Sequence, residues 1–445
     1  MSEEKKIVKV KTTADKSTET SKKAHLLIRK YYQDAAQAMQ EGRPVAWLMA
    51  VTLTEEMCRA MDVTPIYTEN FAGTAAAMKG GMMMCEACEA DGFSTGICGY
   101  ARVGLGHSKL REELGYVDPT WPNGGMADPN LIIGCTFGCE PRYKWYQAQR
   151  RYQNVPFLSP EIQLEPPVGV DPDEVEDDYI KLVVAEMYET KALMEKHLQK
   201  KMDMDRVAEY AEQSERTRNL YWKCDEIRRA IPGPMPVQDM LSCMPFGFFY
   251  HTFKESEDFY KELYTELEER VKNGVGVIPE EKLRILWGWG LPPWHYLRIF
   301  NYLESKGAVA VMQECYTNFG EWDCSQYSDP FERIARYNYK ARTHSLKYAN
   351  KLRVNQDVAD LIRWSDEYKC DGVIQHALVS CRLRTIGQIA SAEILKNYSS
   401  IPVMSFQSDI VDERTFSQAE INQRLDAFLE VAAVEKEKRR KAGLL

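Results

Sequence analysis

Four of the twelve cysteines stand in sequence contexts where a thiol could do chemistry rather than fill a core. They are Cys98, Cys135, Cys139 and Cys381, and each follows a predicted strand or loop with polar, glycine-rich neighbours. Thiols at the carboxyl ends of parallel strands can converge although they are distant in sequence. Iron–sulfur clusters are commonly held by four thiolates, and a site with three leaves one iron open to water or substrate. Spacing alone leaves the matter open, because core cysteines also follow strands.

The remaining cysteines favour ordinary packing. Cys85 and Cys88 form a CxxC pair, but a structural zinc needs a second pair at matching spacing. A thioredoxin-type redox pair would follow a strand, whereas Cys85 follows a run of methionines. We therefore expect both thiols to pack on a helix. Other cysteines have core-type neighbours, namely Cys58, Cys224, Cys243, Cys315 and Cys324. All twelve are expected to be reduced, since no export signal is apparent.

Composition indicates a soluble globular protein of two or three domains. The chain has 445 residues, of which 44% are hydrophobic and 28% are charged. A net charge of -9 argues against a nucleic-acid partner. No apolar run approaches the roughly 18 residues that would span a membrane. Residues 1–23 are charged and lack an apolar stretch, so we expect a disordered or weakly ordered lead-in rather than a signal peptide. A cytoplasmic location follows.

Strands alternate with helices in two portions of the chain, on either side of a charged helical middle. The strands are expected within residues 44–51, 62–67, 131–134, 155–158, 283–287, 308–312, 371–379 and 401–406. Such alternation predicts parallel sheets covered by helices, so the fold class is α/β. The expected divisions are residues 1–40 (flexible or helical lead-in), 41–165 (first α/β domain), 166–275 (helical segment), 276–415 (second α/β domain) and 416–445 (C-terminal helix). The two α/β portions could be structural duplicates with a ligand cleft between them.

Three segments around the candidate cysteines resemble the cysteine motifs of the 2-hydroxyacyl-CoA dehydratase and benzoyl-CoA reductase family. Further stretches are similar to the family's N-terminal strand–helix element, its interdomain element and its C-terminal acidic motif. The matching stretches are Ser94-Thr95-x-x-Cys98-x-Tyr100-x-Arg102, Gly134-x-x-x-Gly138-Cys139-Glu140-x-x-x-Lys144, Asp371-Gly372-Val373-Ile374-x-His376-x-x-x-Ser380-Cys381, Glu55-Glu56-Met57 through Pro65, Leu286 through Trp294, and Ser408-Asp409-x-x-Asp412-x-Arg414. The resemblance covers about residues 44–429 and is least specific in the helical middle.

The resemblance implies two flavodoxin-like domains with a [4Fe–4S] cluster in the cleft between them. Carried over by motif, the cluster ligands are Cys98, Cys139 and Cys381, and the fourth iron has no protein thiolate. The second motif departs from the family pattern, since an extra residue precedes Cys139 and a second thiol, Cys135, lies in the same loop. Cys139 is preferred because Glu140 and Lys144 follow it as the motif requires, with Cys135 as the alternative.

The resemblance is closest to the larger cluster-binding subunit of ATP-dependent benzoyl-CoA reductases. It implies delivery of low-potential electrons to an aromatic acyl-CoA, which gives a cyclic dienoyl-CoA. The implied partners are a second related cluster-binding subunit, ATP-hydrolysing electron-activating subunits, and ferredoxin as the donor. A partner must use the ATP, because this chain has no GxxxxGK[ST] loop.

Two alternative functions stay open. One is a 2-hydroxyacyl-CoA dehydratase subunit, with the cluster as Lewis acid and ketyl-radical generator, and the other is a non-catalytic cluster-bearing electron relay. Dehydratases usually have a hydroxyl-bearing residue after the first strand, where this chain has Ala50 and Val51. That difference favours the reductase over the dehydratase.

Acid–base candidates lie near two of the motifs. His376 precedes Cys381 by five residues and could protonate the ring or a ketyl oxygen, although a histidine satisfied inside a strand is the preferred explanation. Glu56, with Glu55, opens a helix that would face the cleft, and helix capping is the alternative explanation. We interpret Asp409 and the acidic motif around it as an ion-pair group that fixes the last loop.

Overall fold

A computed structural model of the chain describes residues 14–317, 320–399 and 401–443. Within them the chain forms two four-stranded parallel sheets and a helical middle segment, which confirms the predicted fold class. The strands of the first sheet are β1 (Val45–Leu48), β2 (Thr64–Tyr67), β3 (Leu131–Ile133) and β4 (Phe157–Leu158). Those of the second sheet are β5 (Leu283–Gly288), β6 (Ala308–Gln313), β7 (Gly372–Leu378) and β8 (Val403–Ser408).

Helices cover the sheets and form the middle segment. In chain order they are α1 (Glu19–Gln40), α2 (Glu55–Ala60), α3 (Thr68–Ala77), α4 (Gly81–Ala90), α5 (Gly99–Leu114), α6 (Glu140–Gln149), α7 (Pro172–Leu198), α8 (Met204–Glu226), α9 (Val237–Cys243), α10 (Pro245–Phe248), α11 (Lys254–Lys272), α12 (Arg298–Ser305), α13 (Pro330–Thr343), α14 (Leu346–Leu352), α15 (Gln356–Glu367), α16 (Gln388–Ser399) and α17 (Gln418–Lys441). None of these described helices is long and apolar enough to cross a membrane.

The two sheets have the same strand order. The order is β2-β1-β3-β4 in the first sheet and β6-β5-β7-β8 in the second, and each neighbouring pair is parallel. This is the order of a flavodoxin-like sheet, in which the chain first builds on one side of its first strand and then crosses to the other. The crossing creates a switch point between β1 and β3, and another between β5 and β7. Ligands of such sheets bind at the carboxyl ends of strands beside a switch point.

The strands that flank the switch points are buried from end to end. Runs such as Leu131-Ile132-Ile133 are apolar on both faces because helices cover both faces of a parallel sheet. Trp47 in β1 and Trp287 in β5 are fully buried, and each donates its indole N–H to a backbone carbonyl. The edge strand β8, by contrast, alternates between buried and more exposed residues. Central strands of this kind hold the loops at their carboxyl ends in fixed positions.

The first strand is shorter than its apolar run predicts. The run continues to Val51, but β1 ends at Leu48 because the chain then turns away from the sheet. Val51 and Leu53 both have positive φ, at 61° and 55°. A β-branched residue in that region is strained, and such strain concentrates at functional sites. The loop from residue 49 to 54 is therefore a specifically shaped end of β1.

The segment before β1 is ordered over the residues that the structure describes. The expectation of a weakly ordered lead-in is wrong from residue 14 onward, while residues 1–13 lie outside the described ranges. Asp239 accepts hydrogen bonds from the backbone N–H of Thr18 at 2.8 Å and from the Ser21 hydroxyl at 3.0 Å. Glu266 accepts the Thr20 hydroxyl at 2.7 Å. These carboxylates satisfy the first N–H groups of α1 in place of a capping side chain.

Candidate functional site

The candidate cysteines follow the strands of the two switch points or begin a covering helix. Cys139 lies in the loop after β3 and directly precedes α6, and Cys381 lies in the turn after β7. Cys98 directly precedes α5. All three are partly accessible, in contrast to the remaining cysteines, which are buried. Strand ends and helix starts therefore present these three thiols rather than packing them into a core.

The neighbours of Cys98 and Cys381 are hydrogen-bonded to each other. The backbone N–H of Gly99 donates to the Ser380 hydroxyl at 3.2 Å, and that hydroxyl donates in turn to Asp409. A side chain at residue 99 would overlap the Asp409 carboxylate, so only glycine permits this approach. Since each partner is adjacent to a cysteine, the contact brings Cys98 of the first half next to Cys381 of the second.

An ion-pair group fixes the same junction. Arg102 is 1% exposed and lies 2.8 Å from Asp412, 2.8 Å from Glu89 and 3.8 Å from Asp409. Arg414 pairs with Asp412 and with Glu89 at 2.6 Å each. These guanidinium groups hold the pKa of Asp412 well below its usual range although burial opposes this. The acidic motif thus makes ion pairs, in agreement with the interpretation from the sequence.

A second contact, between the residues that follow Cys139 and Cys381, joins the turns that carry these two cysteines. Arg382 donates to Glu140 at 2.9 Å, so the residues that follow the two cysteines pair across the halves. Both side chains are mostly exposed, and the pair alone contributes little stability. Burial raises the pKa of Cys98 to about 12, and the thiols of Cys381 and Cys139 add to that rise because thiolates would repel one another. The turns that carry the three cysteines are therefore joined by contacts between their neighbouring residues.

The donor set fits a [4Fe–4S] cluster in its chemistry. Backbone hydrogen bonding from Ala101 and Tyr100 opposes the rise in the pKa of Cys98, and that from Arg384 and Leu383 opposes the rise in the pKa of Cys381. Three thiolates that repel one another can ionise together when cationic iron binds them. Within residues 14–317, 320–399 and 401–443, no three Cys, His, Asp or Glu side chains converge enough to hold one metal ion. Cluster ligands bind different irons, so they stand further apart than the ligands of a single ion.

Cys135, the alternative second ligand, is buried against the loop after β1. Its side chain is fully buried, and its thiol donates to the carbonyl of Val51 at 3.7 Å. Burial raises its pKa to about 11. The Val51 carbonyl belongs to the loop after β1. This geometry supports the preference for Cys139.

The CxxC pair packs on a helix, as expected. Cys85 and Cys88 lie on α4 and are both fully buried. Burial raises the pKa of each thiol to about 12. Both thiols are thus inert packing groups at neutral pH.

The structure gives His376 the environment of a core histidine. It is fully buried in β7, where Nδ1 lies 2.6 Å from the Leu291 carbonyl and Nε2 lies 2.7 Å from the Ser408 hydroxyl. Burial lowers its pKa to about 4. Both ring nitrogens are engaged, so a substrate would have to displace one of these bonds. The hypothesis of a catalytic role remains a proposal, and the geometry favours a role in holding the loop after β5.

Glu55 and Glu56 line a polar cavity, so their side chains do not face solvent at the start of α2. Both carboxyls are buried, and Glu55 accepts the Tyr67 hydroxyl at 2.6 Å and the Thr252 N–H at 3.1 Å. His251 lies 3.4 Å from Glu55, and burial lowers the His251 pKa well below its ordinary value, so this contact is not an ion pair at neutral pH. The cavity is also lined by the strained loop after β1, by Arg218 and by Arg342.

Replacing Glu55 by glutamine should remove a pH dependence of stability. Burial, and then the neighbouring Glu56 carboxyl, raise the pKa of Glu55 from 4.5 to about 8. Between these values the folded state holds a proton that the unfolded state has released, so the free energy of unfolding falls as pH rises through this window, by on the order of a few kcal/mol. Glutamine cannot titrate, and the variant should lose most of this decline.

Urea unfolding at about pH 5 and about pH 8.5 measures the effect of that substitution. The variant should be more stable than the wild type at the higher pH. The exposed Glu86→Gln variant on α4 serves as the matched control and should keep the wild-type slope. Parallel pH profiles for wild type and Glu55→Gln would contradict the protonated state of Glu55.

A carboxylate that the sequence interpretation missed lies closer to the cysteines. Glu69, in the first turn of α3, is 5% exposed and pairs with Arg142 at 2.7 Å. Its second oxygen accepts the backbone N–H of Ala50 at 2.8 Å, in the loop after β1. Arg142 belongs to α6, whose first residue follows Cys139, and interacts electrostatically with Cys139. The available signal was a carboxylate directly after the buried strand β2, at the carboxyl edge of the sheet.

Glu69 also lines an apolar cavity of about 260 Å³. Aromatic rings form much of its wall, from Tyr100, Phe249, Trp294 and Tyr316. The Trp294 indole N–H donates to the Tyr100 hydroxyl, which lies 3.4 Å from the Tyr316 hydroxyl. Tyr100 links the cavity to the cysteines, since it lines the cavity and lies two residues after Cys98. A substrate in this cavity would contact both a carboxylate and the surroundings of the thiols.

Comparisons with known proteins agree with this geometry. The family model described as 2-hydroxyglutaryl-CoA dehydratase, D-component, matches residues 51–432. The (R)-phenyllactyl-CoA dehydratase alpha subunit of Clostridium sporogenes is 28% identical over 91% of this chain and 93% of its own length. The (R)-2-hydroxyisocaproyl-CoA dehydratase alpha subunit of Clostridioides difficile is 28% identical over 91% and 94%. One of the benzoyl-CoA reductase subunits of Thauera aromatica is 25% identical over 79% and 80%.

These matches qualify the expected closeness to a reductase subunit. The dehydratase alpha subunits match more of the chain at higher identity than the reductase subunit does. All three relatives are named as single subunits of larger enzymes. Because the family model spans well over half of the sequence, the chain belongs to the family of the 2-hydroxyglutaryl-CoA dehydratase D-component, which acts on acyl-CoA substrates.

Proposed function

We propose that this chain is the alpha-type subunit of an enzyme that dehydrates a 2-hydroxyacyl-CoA to a 2-enoyl-CoA. The reaction breaks the C2–O and C3–H bonds, forms a C2=C3 double bond and releases water, so it consumes no net electrons. The extent of the match to dehydratase alpha subunits supports this function over the reductase that the sequence motifs alone favour.

The observation that carries the proposal is the Glu69–Arg142 ion pair at the wall of the apolar cavity. Dehydration needs a proton acceptor for C3–H, and a carboxylate held by a guanidinium is an acceptor. Ring reduction needs a proton donor at the same place instead. The Ala50 N–H and Arg142 fix both carboxylate oxygens, so Glu69 can meet a substrate in one orientation.

A cluster bound by Cys98, Cys139 and Cys381 would supply a low-potential electron and a Lewis-acidic iron without a protein thiolate. The chain's own residues then have distinct tasks. The Gly99–Ser380 contact holds two of the ligand-bearing turns in register across the halves. Tyr100 and Trp294 close the cavity wall beside them and exclude water from the reacting carbons.

The proposal includes partners. A second related cluster-binding subunit would complete the enzyme, and separate ATP-hydrolysing subunits would deliver the electron from ferredoxin. The absence of a GxxxxGK[ST] loop from the sequence requires ATP to be hydrolysed elsewhere. The alpha-subunit names of the relatives support an assembly of more than one chain.

Reduction of an aromatic acyl-CoA is the second candidate. Ala50 and Val51 provide no hydroxyl after β1, and in the sequence this difference favoured the reductase over the dehydratase. The structure weakens that argument, because the buried hydroxyls of Thr52 and Thr54 lie 2.7 Å apart in the same loop. They hydrogen-bond to each other, and Thr54 makes no side-chain capping bond to α2.

The test is turnover by the reconstituted complex under anaerobic conditions, with ATP and dithionite or reduced ferredoxin. Mass spectrometry of the thioester products separates loss of water from gain of hydrogen. Water loss from a 2-hydroxyacyl-CoA with catalytic ATP, and unchanged benzoyl-CoA, is the expected result. Reduction of benzoyl-CoA to a cyclic dienoyl-CoA, with 2-hydroxyacyl-CoA untouched, would establish the reductase instead.

A further inference from the structure

The side chains that line the apolar cavity beside Glu69 suit an aromatic ring of the substrate. Apolar side chains complete the wall around the four aromatic residues, including Leu241, Met244 and Leu297. Aromatic rings favour edge-to-face or offset contacts with another ring, which adds to the gain from burying its surface. A cavity on the order of 150 Å³ is enough to hold benzene. The cavity of about 260 Å³ therefore has room for a ring and the short chain that joins it to a thioester.

Several polar groups in the cavity wall are already engaged with other protein groups. Glu69 binds Arg142, and Asn70 accepts the Tyr32 hydroxyl at 3.0 Å. Lys16 donates to the Gln238 carbonyl and to the Ser242 hydroxyl. Burial lowers the Lys16 pKa, which further weakens it as a partner for a substrate carboxylate. An acyl group that ends in a carboxylate, such as 2-hydroxyglutaryl, would lose the hydration of that carboxylate here without gaining a dedicated cation.

We propose that this cavity binds the acyl substituent of the substrate and selects a 2-hydroxyacyl-CoA with an aryl side chain. The inference rests on the proposed function for the position of the reacting carbons next to Glu69. A methyl substituent would leave most of the volume unfilled, and an acidic substituent would be desolvated. An aryl group fills the space between Tyr100, Trp294 and Tyr316.

Gly73 offers a direct test of this selection. It lies on α3 in the cavity wall, and a Cβ at this position would stand 3.3 Å from the Tyr100 hydroxyl and 3.6 Å from the Trp294 indole nitrogen. Alanine suits a helix better than glycine, so Gly73→Ala should fold normally. The added methyl narrows the space between the two rings, where an aryl group must pass or rest.

Calorimetric titration of the complex measures the affinity for phenyllactyl-CoA, lactoyl-CoA and 2-hydroxyglutaryl-CoA. The wild type should bind the phenyl compound most tightly. Gly73→Ala should lose about tenfold or more in affinity for it, as one methylene commonly does in a tight pocket, and should keep its affinity for lactoyl-CoA. Met244→Ala widens the cavity and should improve binding of the larger indolyllactyl-CoA. The exposed Met83→Ala variant is the matched control for Met244→Ala. It should change the affinity for neither phenyllactyl-CoA nor indolyllactyl-CoA.

The outcomes separate this inference from the proposed function. Wild-type preference for lactoyl-CoA or 2-hydroxyglutaryl-CoA would overturn the aryl selection, as would unchanged phenyllactyl-CoA affinity in Gly73→Ala. Either result leaves dehydration itself intact, because product analysis measures that independently. Tight, Gly73-dependent aryl binding without water loss would instead uphold the cavity assignment and reject the dehydratase.

Discussion

Replacing Cys98, Cys139 or Cys381 by alanine will remove the cluster and all turnover. Anaerobically purified wild-type chain should hold about four iron and four sulfide, and each variant should lose most of both. The reason is that, among the described residues, these three thiols are the partly accessible ones and lie on turns joined by contacts between their neighbours, while the other thiols are buried. Cys135 is buried against Val51, and the CxxC pair lies on α4. Iron and sulfide analysis and the charge-transfer absorbance of the cluster measure the outcome.

Two variants control for the loss of any thiol. Cys135→Ala removes the alternative ligand in the Cys139 loop, and Cys88→Ala removes a thiol that is likewise buried. Both should keep the full iron content and the wild-type absorbance. An unaltered cluster in Cys381→Ala, or iron loss in Cys135→Ala with Cys139→Ala unaffected, would show that the ligand set is wrong.

Glu69→Gln should lower the turnover number by about 10²–10⁴, which is the usual contribution of a positioned acid or base. Glutamine keeps the size of the side chain and can still accept from the Ala50 N–H, but it cannot take the C3 proton. Substrate affinity and iron content should change little, because neither depends on the proton acceptor. A split between a large fall in kcat and a small change in Kd is therefore the diagnostic result.

Three further observations sharpen the Glu69 experiment. Glu86→Gln, an exposed carboxylate on the neighbouring helix α4, should leave turnover unchanged. Exchange of the C3 hydrogen with deuterated solvent should disappear in Glu69→Gln along with dehydration. Full activity in Glu69→Gln, together with loss of activity in Glu56→Gln, would move the base to the polar cavity instead.

The sheets could be predicted from the sequence because each strand flanking a switch point is a continuous apolar run between turn residues. The three cysteines were selected through motifs whose order along the chain resembles the family's, and their assignment as cluster ligands stays a prediction. The Glu69–Arg142 pair could not be predicted. Those residues lie on α3 and α6, and they meet only when β2, β1 and β3 pair side by side in the parallel sheet. The apolar cavity was hidden for the same reason, because Gly73, Leu241 and Trp294 come from distant segments.

Buried polar groups were the least predictable part of the site. No sequence pattern indicated that Glu55 would accept the Tyr67 hydroxyl, or that Ser408 would engage His376. A first-turn glutamate usually faces solvent, and a strand histidine can face either way. The order at residues 14–23 was likewise unpredictable, since it depends on Asp239 and Glu266 far along the chain.

The Gly99–Ser380 contact joins residues 281 positions apart, and the Glu140–Arg382 pair spans 242. During synthesis, the first two thiols leave the ribosome long before the third exists. The proposed binding space for iron would be complete only after β7 has been made and has paired with β5. With the proposed ligand set, metal insertion would be a late event that acts on an almost finished chain, and prematurely terminated products would carry no complete cluster. Loading with iron would thus serve the cell as a check that synthesis has been completed.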